Sequence, residues 1–563
     1  MLKKADNSAL ERILIWTALL ATLIVLPWTT FDPINVPKLA VISIGGFMAA
    51  GLLATNLSLL RQSKNRPLVF LTGLFILDLF IVLLFSGDNF NQGLFGTFGR
   101  ATGFVAYISL TFLFLAGAIA SSEAVIKKFS FTLIMAGLLS SIYGFFQSFN
   151  VDVFDWVNQY SPVIGFLGNP NFQSSFVGFS GIAVFAFLLT KGARKPSIVA
   201  GLLYLILSAY VIRGTESQQG FLVLLGGIGI VILIWIPKSK FKLLKYPSLI
   251  IGLLGILFVA FGSLNKGPLA SLLYKLSVSY RGDYWQAGWK MTVENPLLGV
   301  GLDGYGDWYR RTRSLEATLR RGPEVTSNAA HNVFLDLSSN GGFPLLIIYL
   351  AMVLLVIRSV FRILKRAKQF EPTITGLIAV WFAYLAQSVI SLNQLGLAIW
   401  GWVISGLIIG YEVKSRENVT VTQNKISAVK GKVAKKIDAP KVTPHAFMAM
   451  VAGLLVGALL GLPPVIASSK YLTALKSQNA LQIERAAYIW PMQAYPMGQV
   501  VVSLSNNNLQ TEALKVLEDG VAKFPDEFSM WRLLSEIPNA TPEQVAEAKI
   551  QMKRLDPLNP NLK

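Results

Sequence analysis

The stretch AAHNVFLDLSSNGGFPLLIIYL, residues 329–350, passes from a polar loop into an apolar segment and carries one of only two histidines in 563 residues. Apolar runs of about 20 residues, the length that crosses a bilayer as a helix, recur from one end of the chain to the other. Hydrophobic residues make up 53% of the chain, and its mean hydropathy is +0.54. The sequence therefore predicts an all-α, polytopic membrane protein.

Basic residues decide the orientation of the predicted spans. If the N-terminus is cytoplasmic, every inside segment is basic, as in RQSKNR, KGARK and RSVFRILKRAK, whereas the short outside loops carry almost no Lys or Arg. The loop 264–341 and the chain after residue 468 then lie outside. Thirteen spans are predicted: 13–30, 38–60, 67–86, 102–120, 129–148, 173–190, 197–212, 219–236, 247–263, 342–357, 373–390, 396–412 and 446–468.

This topology predicts four domains. They are a membrane domain over 1–412 that includes the outside loop, a basic cytoplasmic linker over 413–445, the last span, and an outside domain over 469–563. The net charge of +20 lies mostly in the cytoplasmic segments, so we expect it to meet anionic lipid headgroups rather than nucleic acid. The chain has no cysteine, which excludes a disulfide framework and a thiolate nucleophile.

The outside loop is an exception to the charge rule. Either an anionic ligand on that face attracts its cations, or they meet phospholipid headgroups, since long loops translocate whatever their charge. At helical spacing Arg281, Trp285 and Trp289 share one face, which suits a sugar phosphate; the tryptophans equally fit an interfacial aromatic belt. The basic residues of the loop are Lys266, Lys275, Arg281, Lys290, Arg310, Arg311, Arg313, Arg320 and Arg321.

Four stretches in order resemble the bacterial O-antigen ligase and Wzy-type polymerase superfamily. They are LFGTFGRATG (94–103), GFLGNPNFQSSF (165–176), the segment from Arg281 through NPLLGVGLDGY (295–305), and HNVFLDLSSNGGFPLL (331–346). The resemblance covers about residues 70–410. It implies a glycosyltransferase of the C type in the bacterial cytoplasmic membrane, which moves a glycan from an undecaprenyl diphosphate carrier to an acceptor hydroxyl on the outer face, with inversion and without a metal or cofactor.

The resemblance also implies roles for individual residues. His331 corresponds to the family's base, with Asn332 beside it, and Arg281 to a ligand of the diphosphate. The family's second arginine lies in an S-R motif after the seventh span, where this chain has RGTESQQGF; either Arg213 supplies that charge or Gln218 or Gln219 binds through an amide. Arg100 faces the lipid-diphosphate pocket or extends to the interface. Trp285 is the sugar-binding candidate.

The chemistry fits this set of residues. A diphosphate leaving group needs no proton if cations balance its growing charge, so a single base suffices to activate the acceptor. A neutral imidazole with a pKa near ambient pH suits that task, although His331 could instead bond a backbone carbonyl of its loop. The outside segments offer neither a DxD pair nor a histidine cluster, so no metal site is predicted.

The segment after residue 469 has a different character. Pro491, Pro525 and Pro557 recur at intervals of 34 and 32 residues, close to the tetratricopeptide period. Two or three helix pairs of this kind would bind a protein partner or pack against the loop 264–341.

The acceptor is left open: a glycan, a lipid or a protein hydroxyl. Two other classes remain, a polytopic lipid or polysaccharide transporter and a membrane scaffold that displays the repeats. A transporter should show an internal repeat and polar groups at midplane, and a scaffold leaves the His331 motif and Arg281 unexplained.

Overall fold

The computed structural model describes residues 4–87, 89–154, 161–273, 276–425, 442–477 and 479–562, and every regular element in these ranges is a helix. Lys275 and residues 426–441 of the predicted linker fall outside the described residues. The N-terminal half contains α1 Lys4–Leu23, α2 Asn35–Ala54, α3 Leu57–Leu60, α4 Arg66–Phe85, α5 Phe90–Phe95, α6 Phe104–Ala120, α7 Glu123–Ser148, α8 Pro170–Leu188, α9 Lys195–Gly214, α10 Gln218–Trp235 and α11 Lys245–Ser263. The remainder contains α12 Ala270–Leu273, α13 Leu276–Glu294, α14 Tyr305–Thr312, α15 Leu315–Arg321, α16 Val333–Arg366, α17 Pro372–Ile390, α18 Leu395–Lys425, α19 Pro444–Lys476, α20 Ala480–Ala486, α21 Ala494–Asn506, α22 Gln510–Lys523, α23 Phe528–Glu536 and α24 Pro542–Leu555.

The polytopic class predicted from the sequence is confirmed. Within the described residues, eleven helices are long and apolar enough to cross a bilayer: α2, α4, α7 to α11 and α16 to α19. Two other predicted spans coincide with α1 and with α6, which has 17 residues and is a shorter apolar helix. The total of thirteen spans stays a prediction.

Contacts between loops and helix termini distinguish the two ends of the bundle. At one end Lys238 donates to the carbonyl of Ala367 (3.0 Å), and Arg366 pairs with Glu412 (2.7 Å). These residues belong to segments predicted to be cytoplasmic. At the other end Asn35 donates to the carbonyl of Gly99 (2.9 Å), and loops 96–103 and 295–332 meet there. These segments, which are predicted to lie outside, thus meet at one end of the bundle. Which side of the membrane this end faces stays a prediction.

Glycines bring the last span close to the second. Gly453, Gly457 and Gly461 lie four residues apart on α19, and a Cβ on each would stand within 3 Å of α2 backbone atoms. Small residues at this spacing let membrane helices approach closely. They therefore explain how α19 docks on α2 although a long segment separates α19 from the other spans.

The C-terminal domain begins inside α19. This helix continues past residue 468 to Lys476, and its Tyr471 and Ala474 belong to the same apolar core as Met497, Val516 and other residues of α20 to α24. In this domain α21 packs on α22 and α23 packs on α24. Neighbouring helices in contact are what a helical repeat requires, and the tetratricopeptide identity stays a prediction.

A non-helical residue divides α16 just after its polar first turns. Gly342 has φ +70°, and the segment after α13 packs into the interruption: Val300 donates to the carbonyl of Ser339 (2.7 Å), and Phe343 donates to that of Pro296 (2.8 Å). The Gly-rich turn 299–306 thus binds protein backbone. Two of the resembling stretches, NPLLGVGLDGY and HNVFLDLSSNGGFPLL, form one interlocked unit.

Gly299→Ala is expected to destabilise this unit. Gly299 has φ +61°, and a Cβ there would stand 2.4 Å from the carbonyl oxygen of Ser339, so backbone must move. We expect a loss of about 1–3 kcal/mol, seen as a lower unfolding temperature of the purified protein. The matched control is Gly192→Ala, because Gly192 also has a positive φ (+72°) but no atom near its Cβ position. Equal effects of the two substitutions on the unfolding temperature would show that the contact with Ser339 does not contribute to stability.

Candidate functional site

His331 ends the loop that leads into α16. It adopts a left-handed backbone conformation (φ +52°), which is uncommon for a residue other than glycine. The next residue, Asn332, is the N-cap of α16: its side-chain oxygen accepts from the backbone N–H groups of Phe334 (3.0 Å) and Leu335 (3.2 Å). The imidazole stacks on the ring of Tyr284, with centroids 5.3 Å apart and planes 29° apart. The cap and the stacked ring together fix the direction of the imidazole.

A buried ion-pair network lies beside this histidine. Arg100, only 5% exposed, has its Nε 3.5 Å from Asp303 and an Nη 3.8 Å from Asp336, and it donates to the carbonyl of Asn328. Burial alone would lower the pKa of Arg100, but the two carboxylates outweigh burial and raise the pKa. Arg100 therefore lies beside His331 and is not extended to the interface.

Asp303 joins two of the resembling stretches. Its carboxylate accepts from the backbone N–H of Thr97 (2.7 Å) and the hydroxyl of Thr102 (3.0 Å), and its carbonyl accepts from the hydroxyl of Thr97 (2.9 Å). Asp336 likewise accepts from the backbone N–H of Ala330 (2.7 Å), directly before the histidine. These bonds hold the loop that carries Arg100 against the loop that carries His331.

His331 is held in its neutral form. Burial, followed by the charges of Arg281, Arg100 and Arg321, lowers the pKa of the imidazole to about 4. The three guanidinium groups therefore lie close enough to act on it, and the predicted proximity of His331 and Arg281 is present. The expectation of a pKa near ambient pH is wrong for the unliganded site, because burial and then the charges of three neighbouring guanidinium groups disfavour the imidazolium.

Two of these guanidinium groups lack an acidic partner. Among the described residues no carboxylate pairs with Arg281 or Arg321, and burial lowers the pKa of Arg281. Arg321 instead lies over the rings of Tyr280 (4.3 Å) and Tyr284 (4.7 Å). The site thus has an excess of positive charge around a neutral base, which suits an anionic ligand.

The other arginines of the loop have partners within the protein. Arg310 and Arg313 pair with Asp556 (3.0 and 2.7 Å), Arg311 pairs with Asp526 (2.7 Å), and Arg320 with Asp283. The sequence suggested two ligands for these four arginines, an external anion or lipid headgroups. The structure instead pairs them with carboxylates of the same chain. Asp556 and Asp526 belong to the C-terminal domain, so three of these four arginines contact that domain.

The candidates for the second arginine lie at the ends of α9 and α10. Arg213 is exposed, Gln218 is partly exposed, and the buried Gln219 donates to the hydroxyl of Ser175 (3.1 Å). Ser217, the N-cap of α10, donates to the side chain of Asn171 (2.7 Å). The stretch GFLGNPNFQSSF is thereby tied to the start of α10, and the hydrogen bond of Gln219 leads to α8 and not to His331.

The two tryptophans of α13 differ. Trp289 is 52% exposed and meets the edge of Phe343, as an interfacial residue would. Trp285 is partly buried, and its indole N–H has no acceptor among the described residues. That donor is buried and unsatisfied, and Trp285 stays a candidate for contact with a sugar.

Sequence reasoning missed four residues of the site. The sequence alone does not single out Asp303, Asp336 or Tyr284, and it gives Arg321 as one of several cations in the loop. Asp336 lies in the quoted stretch HNVFLDL, five residues after the histidine, so a signal existed for it. The described residues hold no cluster of three metal-ligating side chains.

The fold and the site together define a class. This is a polytopic, all-helical membrane protein that places a neutral histidine among arginines at one end of the bundle, where the spans meet a folded loop. Residues 203–350 match a family model described as O-antigen ligase, and this match supports the resemblance seen in the sequence. The match includes Arg281, Arg321 and His331 and leaves the earlier spans and the C-terminal domain outside it. No curated protein matches the chain significantly.

Proposed function

We propose that this protein transfers a glycan from an undecaprenyl diphosphate carrier to an acceptor hydroxyl on the outer face of the cytoplasmic membrane. The observation that carries the proposal is the neutral His331 beside Arg281, a guanidinium with which no described carboxylate pairs, at the end of the bundle predicted to face outside. The match to an O-antigen ligase family supports a membrane glycan transferase of the ligase or polymerase kind. The carrier, the inversion and the orientation are part of the proposal.

His331 acts as the base in the proposed reaction. Its neutral imidazole takes the proton of the acceptor hydroxyl as that oxygen attacks the anomeric carbon, and the bond from this carbon to the diphosphate oxygen breaks. The electron pair leaves with the diphosphate, whose charge Arg281 balances. Attack on the face opposite the leaving group inverts the anomeric configuration, and no metal is needed to balance the charge.

Donor binding strengthens the base. In the unliganded site the pKa of His331 is about 4, which makes the imidazole a weak proton acceptor. A diphosphate beside Arg281 brings negative charge, which favours the imidazolium and raises this pKa. The histidine therefore becomes more basic only when the donor is bound, which limits side reactions at the empty site.

The proposal is tested with purified full-length protein and an undecaprenyl diphosphate-linked glycan. We expect glycan transfer in the presence of EDTA, with release of undecaprenyl diphosphate and an inverted anomeric linkage. Failure of every acceptor class, namely glycan, lipid and protein, to receive the glycan would contradict it. Transfer that stops with EDTA and returns with a divalent cation would contradict the metal-independent mechanism.

The material that accumulates in cells without the protein identifies the acceptor. Carriers bearing single repeat units would indicate lost polymerisation, whereas carriers bearing finished chains would indicate lost ligation. If neither kind of carrier accumulates and the surface glycan is normal, the protein has no role in this reaction.

A further inference from the structure

Arg321 occupies a position that the resembling motifs do not cover. It is the last residue of α15 and lies between the stretches NPLLGVGLDGY and HNVFLDLSSNGGFPLL. Its guanidinium lies over Tyr280 and Tyr284, and Tyr284 is the ring on which His331 stacks. One aromatic side chain therefore contacts both the proposed base and this cation.

The hydrogen-bonding groups of Arg321 are incompletely used. Its Nη1 is buried without an acceptor among the described residues, and none of their carboxylates pairs with it. Its neighbour Arg320 contrasts with it, because Arg320 donates to both carboxylate oxygens of Asp283. A charged donor that is buried and unsatisfied is costly, and an anionic ligand would remove that cost. The side chain stays partly exposed, so such a ligand can approach it.

The helix that carries Arg321 is firmly held. Arg313, directly before α15, is 2% exposed and binds Asp556 of the C-terminal domain through two bonds (2.8 and 2.7 Å). Ser314 is the N-cap of α15 and accepts from the backbone N–H of Ala317 (3.1 Å). A ligand-binding side chain gains from such a rigid support, because its geometry is fixed before the ligand arrives.

We propose that Arg321 is a second guanidinium ligand of the donor diphosphate, opposite or beside Arg281. This assignment rests on the proposed function. Arg213 is exposed at the end of α9, and Gln219 is bonded to Ser175, so neither supplies a positive charge that acts on His331, whereas Arg321 does. Arg forks onto phosphate oxygens, and the two tyrosine rings orient the fork.

Binding of unglycosylated undecaprenyl diphosphate tests the assignment without turnover. The full-length protein is placed in zwitterionic nanodiscs, and Arg321→Gln is compared with Arg320→Gln, which removes the same charge one residue earlier. We expect Arg321→Gln to weaken binding by at least about tenfold, Arg320→Gln by less than about twofold, and Arg321→Lys to fall between them because charge remains without the fork. Equal binding by Arg321→Gln and Arg320→Gln would overturn the assignment.

An anionic lipid headgroup offers similar oxygens, so a second arm separates the two ligands. The binding measurement is repeated with phosphatidylglycerol in the nanodiscs. If Arg321→Gln loses phosphatidylglycerol but keeps the diphosphate carrier, Arg321 is a headgroup ligand and the assignment fails. Loss of the carrier in both kinds of nanodisc supports it.

The pH profile gives a readout that a merely structural residue would not move. Arg321 contributes to lowering the pKa of His331, so Arg321→Gln should shift the acid limb of kcat/KM to higher pH, and Arg320→Gln should not. The position of the acid limb can be measured even if Arg321→Gln reduces the yield of folded protein. If the wild-type protein transfers no glycan, the proposed function fails; if it transfers glycan and the limb stays in place, only the assignment of Arg321 fails.

Discussion

Replacing His331 is expected to abolish glycan transfer while the protein remains folded in the membrane. The imidazole is a neutral base among the cations of the site, and general-base catalysis contributes about 10²- to 10⁴-fold to a rate. We therefore expect His331→Ala to lower kcat by at least about a hundredfold. The KM for the lipid-linked donor should change little, because in the proposed mechanism arginines and not the histidine bind the diphosphate. Transfer of a labelled glycan by the purified protein measures both.

The backbone at this position calls for a second substitution. His331 has φ +52°, a conformation that Asn adopts more readily than Ala, so His331→Asn removes the base with less strain. The control is His445→Ala, which removes the other histidine, exposed at the start of α19 and distant from the resembling motifs. Full transfer activity in His331→Asn would show that the residue is not the base.

The pH dependence of the wild-type enzyme follows from the same residue. The active imidazole is neutral, so activity is present above its pKa and is lost as pH falls through it. The acid limb of kcat/KM, which reports the free enzyme, should lie near the pKa of about 4, and that of kcat should lie at higher pH because the bound diphosphate raises the pKa. An acid limb of kcat below that of kcat/KM would contradict a base beside the diphosphate.

Much of the fold could be predicted because the bilayer acts on local sequence. A span needs a run of apolar residues, so α2, α4, α16 and α17 could be placed from hydropathy alone. The span predicted at 102–120 likewise begins within two residues of the start of α6, whereas the break in α16 at Gly342 depends on how loops pack against one another. The continuation of α19 beyond residue 468 was also hidden, since its last turns are stabilised by the C-terminal domain.

The site was predicted in part, and distance along the chain explains the remainder. His331, Arg281 and Arg100 stood in stretches that resemble a family, and the structure brings them together. Asp303 contacts Thr97 and Arg100, which lie about two hundred positions away in the sequence. No local sequence pattern predicts contacts over such a separation. The roles of Arg313 and Arg321 likewise depend on where each side chain points within one basic cluster. A charge count treats these arginines alike, whereas burial separates them.

Asp556→Asn is expected to destabilise the C-terminal domain strongly. The carboxylate is fully buried and binds Arg313 (2.8 and 2.7 Å) and Arg310 (3.0 Å) across the interface with α14. Breaking a buried pair by removing one partner costs about 3–5 kcal/mol. Here the buried Arg313 would keep no carboxylate partner among the described residues, whereas Arg310 would retain Glu324 (3.6 Å). We expect a markedly lower unfolding temperature and faster proteolysis of the C-terminal domain.

Asp526→Asn is the matched control, because the carboxylate of Asp526 also binds arginines of both domains, Arg311 and Arg554, but is 53% exposed. Water and salt weaken such a pair, so its loss should cost less than about 1 kcal/mol. Since Arg313 supports α15, Asp556→Asn should also weaken binding of undecaprenyl diphosphate, whereas Asp526→Asn should leave it unchanged. Adding Arg313→Met to Asp556→Asn removes the buried guanidinium that has lost its carboxylate partner and should restore part of the stability. Equal stability of Asp556→Asn and Asp526→Asn would mean that the buried pair does not hold the C-terminal domain on the loop.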